Sequence, residues 1–308
     1  MTLPHLTTPT RRARGDMVLV WRDRTALQIG IDDDVLVLEP VPRVADSLLL
    51  SLTHPHDATP PTEPTDIAWR EWLLARLEEH GRLTSAAIGE PIRILGSGRV
   101  AGRIASALLD LGNTVHVRDP ALHDKTGPSG AERLVRHLQR APGRQRHRAA
   151  MDTGGRVALT VVCTGTCEPE RSLTDALARD GETYIVLRTR PGTAVAGPLV
   201  VPADTSCLRC ADLWRTEADP VWPRLAAQLA HRPAPDDPVL DTWVTALGLA
   251  QIVAYLCGEA GELRSRTLTL SRDTGRTTLR VWPQHPRCAC HDQAPRSELL
   301  SVPDRMGA

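Results

Sequence analysis

The chain has 308 residues, enough for about two domains, and 41% of them are apolar, enough for packed cores. Its 37 basic and 37 acidic residues cancel to a formal net charge of zero, which argues against a general nucleic-acid role and against a polybasic membrane surface. Phenylalanine is absent and Lys125 is the only lysine, so cationic work falls almost entirely to arginine. No apolar run approaches the ~20 residues of a membrane span. Residues 1–16 are polar and have no apolar signal core, so a soluble cytoplasmic protein is expected.

In chain order, residues 1–16 read as a tail. Short strands follow at 18–21, 26–31 and 35–38, the last after the turn Asp32, Asp33, Asp34, and this spacing predicts a three-stranded antiparallel meander. Residues 44–52 read as a helix, and 54–64, rich in proline and threonine, as a loop. Asp66 is a candidate N-cap for a helix running to His80 and closed by Gly81. Trp69, Leu73 and Leu77 recur at four-residue steps and so share one face of it. Together these elements predict a small winged-helix-like α+β module over residues 17–89.

A second domain is expected over 90–293. Residues 92–95 read as a strand, followed by the turn Gly96-Ser97-Gly98-Arg99-Val100-Ala101-Gly102. A helix then runs to about Leu111, and a strand over 114–118 is closed by Asp119. Strand, glycine turn, helix and strand with a terminal acidic residue form a Rossmann-type unit, whose helix N-terminus offers free N–H groups to a phosphate. Residues 120–156 are arginine-rich and poorly patterned, with a helix expected at 130–140. Strands are expected at 158–162, 183–187 and 199–201, a short helix at 173–179 and a long apolar helix at 239–256. A hairpin is expected over 266–270 and 277–282, and residues 294–308 read as a polar tail.

Cys207 and Cys210 form a C-x-x-C, and Cys288 and Cys290 a C-x-C. Two short knuckles that each aim two thiolates at one point suit a closed, tetrahedral structural zinc site. Disulfides or buried core cysteines are the alternatives, and the first is weakened by the absence of a secretory signal. Cys163 and Cys257 read as small core residues. Cys167, in a loop at a strand end, keeps a candidacy as an acyl acceptor.

The glycine turn, Asp119 and the two cysteine knuckles, in that order, resemble the adenylating fold of ThiF, MoeB and the ubiquitin-activating enzymes. The segment 198–223, with Cys207-Leu208-Arg209-Cys210-Ala211-Asp212-Leu213, is similar to the ThiF-like proteins of thiazole/oxazole peptide clusters. These are cyclodehydratase-domain or leader-peptide-binding proteins that work with a YcaO-type enzyme on a ribosomal precursor peptide. Residues 17–83 resemble the small recognition element that binds precursor leaders. The resemblance implies a Rossmann-like ThiF-type α/β domain with structural zinc and a homodimer, and the glycine turn offers vestigial or weak nucleotide contacts at Gly96, Gly98, Ala101 and Asp119, with ATP binding left open.

The chain also departs from the family. The Asn and Arg that adenylating members carry shortly after the acidic residue are missing from Pro120-Ala121-Leu122-His123-Asp124-Lys125. Lys125 lies too near Asp119 to match the family's phosphate lysine, and Val161-Val162-Cys163-Thr164-Gly165 lacks the expected aspartate. Adenylyl transfer depends on positioning and charge neutralisation around triphosphate and magnesium, so these losses point to a non-catalytic partner protein. An adenylyltransferase with an unusual site and a nicotinamide-dependent oxidoreductase are the alternatives. For a leader-binding protein, the free edge of the meander is the expected receptor, taking an extended peptide as an added strand. Val35, Val37 and Glu39 are its candidate residues, with Arg70 and Arg76 of the helix facing an acidic leader. The competing reading makes the valines core and the arginines solvated surface.

Overall fold

The computed structural model describes residues 11–13, 18–31, 35–41, 64–80, 83–85, 89–119, 128–143, 146–259 and 261–291. Its internal contacts divide the chain into two units, Met1–Ala87 and Ile88–Ala308. The expected helix at 44–52, the turn 32–34, Lys125 and the tail 294–308 lie outside the described residues.

The first unit contains strands β1 (Arg11–Ala13), β2 (Leu19–Trp21), β3 (Leu27–Ile29) and β4 (Leu36–Leu38), helix α1 (Pro64–Glu79) and strand β5 (Leu83–Ser85). Strands β2, β3 and β4 form the expected antiparallel meander in that order. The β2–β3 turn is set by Asp23, whose Oδ1 accepts the Thr25 and Ala26 N–H groups at 2.7 and 2.8 Å. Alternation then buries Leu27, Ile29, Leu36 and Leu38 against Leu73, Leu74 and Leu77 of α1. The helix begins at Pro64 rather than after Asp66, because proline suits the first helical position, where its missing N–H costs nothing. Residues 11–13 are not tail: β1 pairs antiparallel with β5, Arg11 opposite Ser85.

The second unit is built on an eight-stranded sheet. In chain order its elements are β6 (Pro91–Leu95), α2 (Arg99–Asp110), β7 (Thr114–Arg118), α3 (Gly130–Arg140), β8 (Ala149–Met151), β9 (Leu159–Val162), α4 (Arg171–Arg179), β10 (Tyr184–Arg190), β11 (Thr193–Val200), α5 (Leu208–Ala218), α6 (Trp222–Ala230), α7 (Pro238–Leu256), β12 (Arg266–Ser271) and β13 (Thr277–Val281). The sheet order is β13-β12-β11-β10-β9-β6-β7-β8. Strands β10 to β8 run parallel, and β11, β12 and β13 extend the sheet antiparallel. The strand order reverses between β6 and β9, and open α/β sheets bind ligands beyond the strand ends at such a point.

Both faces of the central strands β6, β9, β10 and β11 are buried, so alternate residues of one strand enter different cores. Val161, Ile185 and Leu187 pack with residues of α2, α3 and α7, whereas Val162, Tyr184 and Val186 pack with Leu177, Leu208 and three of the cysteines. By length and composition α7 is apolar enough to cross a membrane, contrary to the sequence expectation. It lies on β10 and β11 and sends Leu240, Val244 and Ile252 into the core.

Candidate metal centre and glycine-turn cleft

Cys207 caps the N-terminus of α5 with extended backbone, and Cys210 sits one turn later on the same face. The first turn of α5 is tied to the sheet by the Leu208 N–H, which donates to the Tyr184 hydroxyl at 3.4 Å. Beyond β13, the Cys288 N–H closes a turn onto the His285 carbonyl at 2.9 Å, and Cys290 follows in a short 3-10 turn. The two knuckles meet. All four Sγ atoms lie within 4.8 Å of one another, three of the residues are buried, and the cluster can hold a metal ion.

Sulfur separations are 4.0 Å for Cys207–Cys210, 3.6 Å for Cys207–Cys288 and 3.4 Å for Cys210–Cys290. Disulfides require about 2.05 Å, so none is formed. Tetrahedral coordination at about 2.3 Å per Zn–S bond requires sulfurs about 3.8 Å apart, which the cluster brackets. The Cys210 thiol is held well below the usual range by the Cys207 and Cys290 thiols that donate to it, and the His285 N–H reaches its Sγ at 3.4 Å.

His285 braces the second knuckle. Its Nδ1 accepts the Arg287 N–H at 3.1 Å, so Nε2 carries the proton and donates to Glu217 at 3.0 Å. Its ring meets that of Trp214 edge-on at 4.6 Å.

The glycine turn lies at the strand-order reversal, but its geometry is particular. Gly96 has φ +138°, and a Cβ there would meet the Cys163 carbonyl oxygen at 2.0 Å, so this glycine is demanded by close approach of two strand ends. Gly98 caps α2, and a Cβ on it would meet nothing within 4 Å among the described residues. Ala101 is fully buried in the main core. Asp119 is engaged: both carboxylate oxygens accept the Ala131 N–H at 3.0 Å. Gly130 abuts Ser97, whose Oγ would lie 2.2 Å from an added Cβ. The start of α3 therefore packs against both the glycine turn and Asp119. Ser129 and Glu132 complete a capping box there, a Ser-x-x-Glu signal that was legible in the sequence. Arg133, on the first turn of α3, spends Nη1 on the Pro128 carbonyl at 2.6 Å.

Cys163 is buried and its thiol is pushed up to about 12 by desolvation. Cys167 is also fully buried, its thiol raised by desolvation and directed at the Pro233 carbonyl at 3.5 Å. This geometry does not suit an acyl acceptor.

In the first unit, Val35, Val37 and Glu39 are exposed while Leu36 and Leu38 are buried. The Gly30 N–H donates to Val18 O and the Arg22 N–H to Ala26 O, so even-numbered positions of β3 bond towards β2. Leu27 and Ile29 then bond towards Leu38 and Leu36, and the backbone groups of Val35, Val37 and Glu39 face the outer edge of β4, which has no strand partner among the described residues. On α1, Arg70 is exposed and Arg76 pairs with Glu79 at 2.7 Å.

The fold has known counterparts. A heterocyclase solved in complex with substrate and cofactor is similar at 15% identity and a TM-score of 0.55, over 90% of this chain and 39% of that one. E. coli MccB with AMPCPP and MccA is similar at 13% identity and a TM-score of 0.56, over 92% of this chain and 99% of that one. MccB with N-formylated MccA gives 14% identity and a TM-score of 0.55, over 91% and 99%. The chain shares the fold of these proteins. At such identities the likeness carries the fold alone. This chain spans about two-fifths of the heterocyclase chain. No protein-family model and no curated protein matches the sequence.

Proposed function

We propose that this protein is a non-catalytic ThiF-like partner that binds the leader of a ribosomal precursor peptide and presents it to a YcaO-type or other modifying enzyme. The observation that carries the reading is the outer edge of β4, which has no strand partner among the described residues. There Val35, Val37 and Glu39 turn their backbone groups away from β3 and their side chains outward, on a meander whose other face is anchored by α1. An extended peptide added to that edge gains main-chain hydrogen bonds, and its alternate side chains meet the valines. Arg70 and Arg76 would face acidic leader residues. The exposed Arg76–Glu79 pair contributes little by itself and exchanges partners readily. Residues 17–89 act in this reading as a winged-helix-like recognition module ahead of a ThiF-like domain over 90–293.

The non-catalytic half of the reading is supported by Asp119. The carboxylate that would hold a ribose caps α3 instead, and the cations and aspartate of an adenylating site have no counterpart at the expected spacing. Among the described residues nothing fills the space before Gly98, which is compatible with weak phosphate contact without turnover. The four cysteines would hold one structural zinc, and with all four positions filled by protein none remains for substrate. The protein works in the cytoplasm as a homodimer, without nucleic acid or membrane. The solved neighbours fit this setting, one a heterocyclase bound to its substrate and the other MccB bound to MccA.

The test is binding of a cognate leader to the full-length chain, beside pyrophosphate exchange into ATP. Leader binding at micromolar affinity or better, on the order of 8 kcal/mol, without exchange supports the proposal. Exchange that depends on Asp119 would replace it with an adenylyltransferase.

A further inference from the structure

The eight-stranded sheet ends in two unlike edges, β8 and β13. Strand β8 has only three residues, and shortness is an ordinary protection of an edge strand against pairing with another chain. Strand β13 has five, Thr277-Thr278-Leu279-Arg280-Val281, paired with β12 in an unbroken register. It carries no proline, no lysine and no bulge. Its outer edge has no strand partner among the described residues, and all five residues are exposed. Leu279 at 46% and Val281 at 55% are among the most exposed large apolar side chains of this unit.

The ladder fixes which backbone groups face outward. The Trp282 N–H donates to the Ser265 carbonyl at 2.8 Å, and the Ser271 N–H to the Arg276 carbonyl at 2.9 Å. Even-numbered residues of β13 therefore bond to β12, and the N–H and C=O groups of Thr277, Leu279 and Val281 point away from it. The side chains of these three share one face. There Leu279 stands opposite Leu268, which packs on the main core, so an apolar row leaves the core and stops at the sheet edge. On the other face Arg280 lies over the ring of its own Trp282, 5.3 Å from the centroid.

We propose that β13 pairs antiparallel with β13 of a second copy of this chain, making one continuous sheet across a two-fold axis at Leu279. In that register Leu279 faces its own counterpart, Thr277 faces Val281 and Thr278 faces Arg280. The row from Leu268 to Leu279 then continues into the same row of the other copy. Moving the axis by one residue in either direction sets arginine against arginine, Arg280 opposite Arg280 or Arg276 opposite Arg280. Like charges directly opposite are destabilising, so charge selects the register that also completes the apolar row.

The inference rests on the homodimer of the functional reading and names the surface that forms it. Sedimentation velocity on the full-length, metal-loaded protein tests it, with Leu279→Pro as the variant. Proline at 279 removes an outward N–H and leaves the bonds of Thr278 and Arg280 to β12 in place. The parent should sediment as a dimer, and Leu279→Pro as a monomer at the same concentration with the parent's metal content.

Cross-linking decides the register even if Leu279→Pro fails to fold. Facing residues of the pair have Cα atoms about 5.5 Å apart, within reach of a disulfide. Copper-phenanthroline oxidation of Leu279→Cys should therefore give a covalent dimer. In Thr277→Cys the two thiols lie four residues apart along the strands, about 14 Å at about 3.4 Å per residue, and should stay unlinked. A dimer that persists in Leu279→Pro, or equal cross-linking of the two cysteine variants, overturns this interface and leaves the homodimer standing. A monomeric parent overturns both. A monomeric parent whose leader binding is lost in Leu279→Pro would seat a peptide on this edge in place of the second copy.

Discussion

Asp119 holds the backbone of Ala131, accepting its N–H on both carboxylate oxygens at 3.0 Å. An acidic residue at the end of the second strand of a Rossmann unit ordinarily faces the ligand. Here it caps a helix, and that change of partner gives one residue two contrasting mutational signatures.

As a cap, Asp119 contributes stability. Asp119→Ala should destabilise the second unit by about 1 kcal/mol, read as a lower urea midpoint at unchanged slope. Neither the parent nor the variant should exchange pyrophosphate into ATP. Exchange in the parent that vanishes in the variant would assign Asp119 to nucleotide chemistry.

At the edge of β4, Val37→Pro removes an outward N–H without touching the bonds that Leu36 and Leu38 make to β3. Leader binding should be lost, while metal content stays at the parent level. Val37→Ala, which keeps the donor, should weaken binding only modestly. Undiminished binding to Val37→Pro, measured by fluorescence polarisation, would show that this edge is not the receptor.

The cysteine cluster predicts about one zinc per chain, measurable by mass spectrometry of the native protein. Metal binding is coupled to folding, so Cys207→Ser or chelation should lower the unfolding midpoint, by on the order of 10 °C. Protein purified without chelators that carries no metal would remove the assignment.

Burial predicts chemical silence at two thiols. Cys163, pushed up to about 12, remains a protonated thiol through pH 8, and Cys167 is raised in the same direction. Iodoacetamide at pH 8 should leave both unmodified in native protein and label them after denaturation, as peptide mapping would read. Rapid labelling of Cys167 in the native state would reopen its candidacy as an acyl acceptor.

The parts of the fold legible in the sequence are those where local pattern and burial agree. The meander, the glycine turn with α2 and β7, helix α3, the hairpin of β12 and β13 and the two cysteine knuckles all carry such signals. The misses have physical causes. Strand β10 was expected to stop at Leu187, because Arg188, Thr189 and Arg190 break an apolar run. It continues because Glu168, distant in the strand's own sequence, meets both arginines. Strand β8 carries only Ala149, Ala150 and Met151, too short for periodicity, and forms by pairing with β7. The engagement of Asp119 depends on where α3 begins in space. Its capping box marks that start, but nothing local says which carboxylate the helix will meet.

The two cysteine knuckles are separated in time as well as in sequence. Cys288 follows its partner Cys207 by 81 residues. At roughly 5–20 residues per second of synthesis, Cys207 and Cys210 wait about 4–16 s (81/20 to 81/5) for the other two ligands. During that interval a nascent chain holds half a metal site, two thiols apart from the pair that will close it. A metal held by all four thiols must therefore await the hairpin of β12 and β13, which carries the second knuckle to the first.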